Sequence, residues 1–234
     1  MDPVEFKDYV AGGNVQIGEA KENPHKGRTM WFSHKNGSRE RVRFTGYSRA
    51  RVTMAPKQPT LPDGSMPDPA AAHQRLIELE FEPDSAVHPA CSAMDNMLEQ
   101  HCKDAIPKQI KGFRYNTELH RRIMFNGRLR AKFSLTGADA VEMNRKISDS
   151  EITTCFVDDI AEGDYVDAQI MFLGALITNK APSVMTRFTS LLVLEKKTTE
   201  FAFDKYNLKR VSTAQEGEEL EMPPAKRSSG EEVS

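Results

Sequence analysis

Nine cations, Lys26, Arg28, Lys35, Arg39, Arg41, Arg43, Arg49, Arg51 and Lys57, fall within a single stretch of this chain, and only Glu40 opposes them. On extended backbone, alternate side chains share a face. Arg39, Arg41 and Arg43 therefore point one way, and so do Arg49 and Arg51. Read as neighbouring strands, they make an arginine ladder with rungs about one phosphate apart. The planar guanidinium fork suits that ligand, because it binds phosphate bidentately and stacks on bases. Trp31, Phe32, Phe44 and Tyr47 interleave with these charges. Cations beside flat rings are the means by which a single polynucleotide strand is held without sequence choice, each stacked base contributing about 1–3 kcal/mol. A second cluster repeats the bias: Lys103, Lys108, Lys111, Arg114, Tyr115, Arg121, Arg122, Arg128, Arg130 and Lys132 are opposed by Asp104 and Glu118.

The candidate nucleic-acid-binding residues are thus Arg28, Trp31, Lys35, Arg39, Arg41, Arg43, Tyr47, Arg49, Arg51, Arg114, Tyr115, Arg121, Arg122, Arg128, Arg130 and Lys132. One strand with alternating arginines is as readily a solvated sheet face. Phe32 and Phe44 fit a core equally well, and Trp31 fits core and stacking alike. Two such clusters in a chain of net charge −2 tip the reading towards binding.

Other chemistries find little support. There is no phosphate-cradling Walker loop, no GxSxG and no HExxH. Asp158 and Asp159 could hold a magnesium ion, but a solvated turn ahead of a strand is the plainer reading. Cys91, Cys102 and Cys155 have neither disulfide-framework nor zinc spacing, and read as reduced thiols of a cytosolic or nuclear protein. No catalytic residue, metal or cofactor is expected. The acidic start, Met1-Asp2-Pro3-Val4-Glu5, lacks the apolar run of a signal peptide. The longest apolar runs, Ile170–Ile177 and Leu191–Leu194, are too short to span a bilayer. An intracellular protein without a membrane partner is expected, in the host nucleus or cytoplasm if the source is viral.

The elements that must position these groups are mostly strands. Arg28–Ser33 and Arg39–Met54 flank Asn36-Gly37, a strong hairpin signal because both residues tolerate positive φ. A loop from about Ala55 to Ala72 holds five prolines, which bars helix and central strand. Gln74–Phe81 reads as a strand. Met94, Met97, Leu98 and Cys102 recur at helical spacing over Ser92–Ile106, with Pro107 as a stop. Ile123–Phe125 and Leu129–Leu135 flank a second turn, Asn126-Gly127. Two long apolar strands, Ala168–Ile177 and Val184–Glu195, come last. Residues 1–25 read as an N-terminal arm. From about Thr213 six acids against Lys226 and Arg227, with Pro223-Pro224, indicate a disordered acidic tail.

The C-terminal half resembles the single-stranded-DNA-binding proteins of large eukaryotic DNA viruses and some phages. A short acidic turn, Ala161-Glu162-Gly163-Asp164, leads into a long strand, Val166–Ile177, with Gly174 at its middle. A hairpin with Asn179-Lys180 follows, then Val184–Leu194 and the acidic tail. The resemblance implies an OB-type barrel and a single-stranded ligand, and assigns no particular residue.

The expected fold is mainly β (α+β): an OB-like barrel over residues 26–212 with one main helix and extended loops. The expected function is non-catalytic binding of single-stranded DNA in replication or repair, with DNA favoured over RNA. The acidic tail would serve replication proteins, and self-association is left open. The alternative is an RNA-binding, nucleocapsid or structural assembly protein.

Overall fold

The computed structural model describes residues 3–23, 27–38, 42–59, 72–138, 140–148, 150–178 and 181–195. In chain order these form α1 (Pro3–Ala11), β1 (Val15–Ile17), β2 (Lys21–Glu22), β3 (Arg28–His34), β4 (Val42–Lys57), β5 (Gln74–Phe81), α2 (Val87–Asp104) and α3 (Ile106–Gln109). Then come β6 (Met124–Phe125), β7 (Arg128–Ser134), β8 (Glu142–Ser148), β9 (Glu151–Thr154), β10 (Tyr165–Thr178) and β11 (Ala181–Glu195). Among the described residues no helix is long and apolar enough to cross a membrane. The tail expected from Thr213 and its partners lie outside the described residues.

Five strands close on themselves. β4 runs antiparallel to β5, and β5 to β7. β7 meets β11 in parallel where Lys132 lies beside Arg187. β11 returns antiparallel to β10, and β10 to β4. This is the five-stranded Greek-key barrel of the OB type, with the parallel contact as its partly open seam. The interior follows from the two-residue period of strands. Val42, Ala50 and Val52 of β4 point inward, as do Ile77, Leu79 and Phe81 of β5, Leu129, Ala131 and Phe133 of β7, and Val166, Ala168, Ile170 and Phe172 of β10. The alternate positions Arg43, Arg49 and Arg51 of β4, Glu78 and Glu80 of β5, and Arg128, Arg130 and Lys132 of β7 are therefore presented outward.

β10 serves two neighbours in succession. Its first part, Tyr165–Phe172, pairs with β4, and Gly174–Ile177 pairs with β3. At the changeover a Cβ on residue 174 would strike the Met30 carbonyl, so only glycine lets β3 lie against the strand there. This arrangement also corrects the expected first hairpin. The turn at Asn36-Gly37 forms, with Gly37 at φ +78. However, β3 and β4 occupy the same edge of β10 one after the other, so they lie end to end. Arg43, Arg49 and Arg51 consequently share one continuous strand and do not form a ladder across two.

Three further expectations change. The stretch assigned to an N-terminal arm includes α1, β1 and β2, and is part of the core: Phe6 stacks on Phe172 with ring centroids 5.2 Å apart, and Phe6 and Val10 are buried. The proline-rich loop starts later than expected, because β4 continues through Pro56 to Lys57. The ladder shifts register between Met54 and Lys57, and such an irregularity accommodates a residue that cannot donate. The rest of that excursion, residues 60–71, is outside the described set. The main helix begins at Val87, five residues before the expected start. Val87, Ala90, Cys91, Met94, Leu98 and Cys102 form one buried stripe, and Pro89 lies in the first turn, where its missing N–H costs no hydrogen bond. The polar stretch after β7 contains a further hairpin, β8–β9, with β8 parallel to β11.

Candidate nucleic-acid interface

The outward positions of β4, β5 and β7 lie side by side in a defined register. Arg51 is opposite Glu80, and Glu80 is opposite Arg128. Tyr165 of β10 flanks Arg51 on one side, and Phe125 of β6 flanks Arg128 on the other. A single lateral row thus crosses five strands: Tyr165, Arg51, Glu80, Arg128, Phe125. At about 4.8 Å per strand it is roughly 19 Å wide. The neighbouring rows run Met54, Glu78, Arg130 and Lys57, Leu76, Lys132. Rings at both ends and cations between them give flat faces for bases and positive charge for the backbone.

The hairpin that carries Phe125 is fixed by backbone chemistry. Asn126 and Gly127 adopt φ +51 and +77, the left-handed pair a two-residue turn requires. The turn presses Phe125 against the Arg128 side of β7. Phe125 is 76% exposed, and it shares a concavity of about 420 Å³ with Arg122, Arg128 and Arg130.

Electrostatics divide the face in two. On the β7 side, Arg130 donates to Glu78 Oε2 through Nη2 at 2.7 Å and Nε at 3.0 Å. Arg128 donates to Glu80 at 3.3 Å and lies 3.8 Å from Glu78. Burial works to raise the Glu78 pKa, but the hydrogen bonds from Arg130 and Thr53, with the charges of Arg130 and Arg128, outweigh it and hold the carboxyl below its ordinary value. On the β4 side, Arg49 lies 3.9 Å from Asp167. Burial dominates at that carboxyl and raises it, against the opposing charges of Arg49 and Lys146. Arg51, Lys57 and Lys132 are exposed, and none has an ion pair among the described residues.

The sequence candidates distribute unequally. Arg49, Arg51, Arg128, Arg130 and Lys132 come together on this face, and Arg122 borders it while bound to Glu99 at 2.9 Å. Arg121 runs beside Ser183 at the start of β11. Arg43 faces outward at the far end of β4, opposite Met171. Trp31, 51% exposed, sits opposite Gly174, nine positions along β10 from Tyr165. Arg28 is paired with Glu22 at 2.6 Å, and Lys35 lies in the turn after β3. Arg114 is exposed on the segment after α3. Tyr115 is not a free stacking platform: its hydroxyl bonds His120 Nδ1 at 3.0 Å, and Lys103 lies 5.4 Å from the ring centre. Phe32 belongs to the core. Arg39 and Arg41 lie outside the described residues, as does the side chain of Tyr47.

Sequence reasoning missed Phe125, Tyr165 and the two glutamates. Phe125 had a signal, since the residue before Asn-Gly in a tight hairpin stands directly across from the residue after it, here Arg128. Tyr165 had none, because its partner across the barrel is more than a hundred residues away. Asp159 has a local role: its carboxylate accepts from the Phe156 N–H at 3.0 Å and caps a short 3₁₀ turn.

At the level of fold, the chain is similar to a phage single-stranded-DNA-binding protein. The structure of that protein from bacteriophage Enc34 in complex with single-stranded DNA aligns over 77% of this chain and 96% of its own, at 14% identity and a TM-score of 0.42. A C-terminal truncation of the same protein aligns over the same shares at 12% identity and 0.41. No protein-family model matches the chain, and no curated protein does.

Proposed function

We propose that the outer face of β4, β5 and β7 binds single-stranded DNA without catalysis, as a coat on strands exposed in replication or repair. One observation carries this reading: the lateral row in which Tyr165 and Phe125 bracket Arg51 and Arg128, beside Lys57 and Lys132, which make no ion pair among the described residues. The same face of OB barrels, between the loops that join strands 1 to 2 and 4 to 5, is where such folds take oligonucleotides. Here those loops are the proline-rich excursion after β4 and the β10–β11 turn. The carboxylates on the face do not preclude phosphate. Exposed ion pairs contribute only about 0–1 kcal/mol, so an arginine exchanges a carboxylate for a phosphate at little cost.

The test is fluorescence anisotropy of labelled oligo-dT at two salt concentrations. Binding is expected at low salt and should weaken steeply as salt rises, since each phosphate contact releases about 0.9 counterion on a duplex and about 0.7 on a single strand. Absence of binding at low salt ends the proposal. Competition by oligo-rU of equal length distinguishes DNA preference from the RNA-binding alternative. Ordered assemblies without nucleic acid would instead point to the structural alternative.

A further inference from the structure

Beside the row, the barrel has a second concavity of about 570 Å³, between the β4–β5 edge and the Asn126-Gly127 turn. This is within the size range of small-ligand sites. Arg49, Arg51 and Tyr165 are among the residues that line it. Glu80, Glu82 and Asn126 supply the remaining polar groups. Glu80 is already taken by Arg128. The Glu82 carboxylate has no partner among the described residues, yet its backbone is held in place, because His88 Nε2 donates to its carbonyl at 2.9 Å. The pocket thus offers a ring to stack on, the guanidinium of Arg51 and that of Arg49, which lies 3.9 Å from Asp167, for a phosphate, and one carboxylate without a partner among the described residues.

We propose that this pocket receives a single unstacked nucleobase of the bound strand and selects guanine. The inference rests on the nucleic-acid reading above and adds a preference that the row alone lacks. An ionised carboxylate accepts hydrogen bonds and cannot donate them. Guanine presents two adjacent donors, N1–H and the N2 amino group, which match the two carboxylate oxygens. Thymine presents one donor between two carbonyl oxygens, and those oxygens face the carboxylate unfavourably. Bases displayed on their Watson–Crick edges and stacked on tyrosine are the ordinary targets of single-strand recognition. Tyr165 provides the ring, Glu82 the reading group, and Arg49 and Arg51 the grip on the flanking phosphates.

The experiment compares four labelled oligo-dT strands of one length: unsubstituted, and with one central dG, inosine or dC. Charge-assisted hydrogen bonds predict that the dG strand binds roughly five- to tenfold tighter than dT. Inosine keeps N1–H but lacks the amino group, and should lose most of that gain. In Glu82→Gln, an exposed substitution, the dG-to-dT ratio should fall to near one, whatever happens to absolute affinity. Equal and measurable binding of all four strands overturns the pocket and leaves the strand-binding surface standing. A dG preference that persists in Glu82→Gln overturns the assignment to Glu82. Failure of every strand to bind at low salt overturns the underlying reading, and this inference with it.

Discussion

Arginine is placed on both flanks of β5, but with different surroundings. On the β7 flank, Arg130 and Arg128 are tied to Glu78 and Glu80 at 2.7–3.8 Å. On the β4 flank, Arg51 stands opposite the same Glu80 by register, yet makes no ion pair among the described residues. Lys57 faces Leu76 and has no ion pair among the described residues. Between two basic strands, β5 presents two outward acids, Glu78 and Glu80, whose ion pairs among the described residues are with β7 arginines, although Glu78 also accepts from Thr53 of β4 at 3.0 Å. Arg128 and Arg130 are therefore oriented but neutralised, whereas Arg51 and Lys57 make no ion pair among the described residues and are less constrained; Arg49, also on β4, lies 3.9 Å from Asp167. A polyanion gains its long-range attraction from the β4 side and its aligned guanidinium forks from the β7 side.

The sharpest way to break this contrast is to invert the free side. Arg51→Glu with Lys57→Glu removes two positive charges and adds two negative ones at positions that make no ion pair among the described residues. Affinity for oligo-dT at low salt should fall by about a hundredfold or more, and the slope of log K against log salt should flatten by roughly one to two units. Thermal stability should change little, since both residues are exposed and surface substitutions generally fall within about 0.5 kcal/mol. An unchanged affinity would show that the β4 flank takes no part.

Phe125→Ala tests the other flank without touching a charge. Loss of one stacked base corresponds to about 1–3 kcal/mol, or roughly 5- to 150-fold in affinity, with the salt slope unaltered. Because the ring is 76% exposed, the melting temperature should hold. A large drop in melting temperature with intact binding would make Phe125 a packing residue.

What the sequence disclosed about this face follows from how far its information travels along the chain. Gln74–Phe81 and the Asn126-Gly127 hairpin were legible because two-residue alternation and left-handed turn residues are local signals. The expected hairpin at Asn36-Gly37 used the same signal and misled. Its strands found a longer partner in β10, with which both pair in turn, and that competition is invisible within a short window. α1 was missed because its apolar residues, Phe6, Tyr9 and Val10, are too few to read as a stripe. Their burial depends on Phe172, far away in sequence. The two basic clusters were seen as clusters, but the acids that divide them, Glu78 and Glu80, lie between them in sequence. They become neighbours of Arg128 and Arg130 only across a strand pair.

Glu78→Gln equalises the two flanks. It releases Arg130 and part of Arg128 from their carboxylate, so affinity for oligo-dT should rise about two- to fivefold, consistent with exposed ion pairs of about 0–1 kcal/mol each. Stability should move the other way, and its pH dependence has a definite sign. The folded-state carboxyl is depressed below 4.5. Its contribution is therefore fully present above pH 4.5 and is lost as pH falls through the lower folded value. Urea unfolding of the native protein and Glu78→Gln should differ at pH 6, and the two should converge as the pH is lowered past that region. A difference that persists undiminished in acid would place the effect in packing and not in charge.

The effect expected of Trp31 depends on the length of the strand. Trp31 lies opposite Gly174 and Arg43 opposite Met171, whereas Tyr165 and Arg51 mark the other end of the same β10 edge. At about 3.3 Å per residue, the nine positions from Tyr165 to Gly174 span roughly 30 Å. A strand that occupies only the lateral row cannot touch Trp31, so Trp31→Ala should alter affinity for a short oligonucleotide of about six bases by less than about twofold. A strand that leaves the row and follows β4 past Arg49 to Arg43 reaches the indole, and a twenty-base oligonucleotide should then lose about tenfold, the equivalent of one stacked base. The length at which the Trp31→Ala defect appears thus measures the path. Equal losses at both lengths would mean that the strand enters at Trp31, and the division between a free and a paired flank would no longer describe how this surface works.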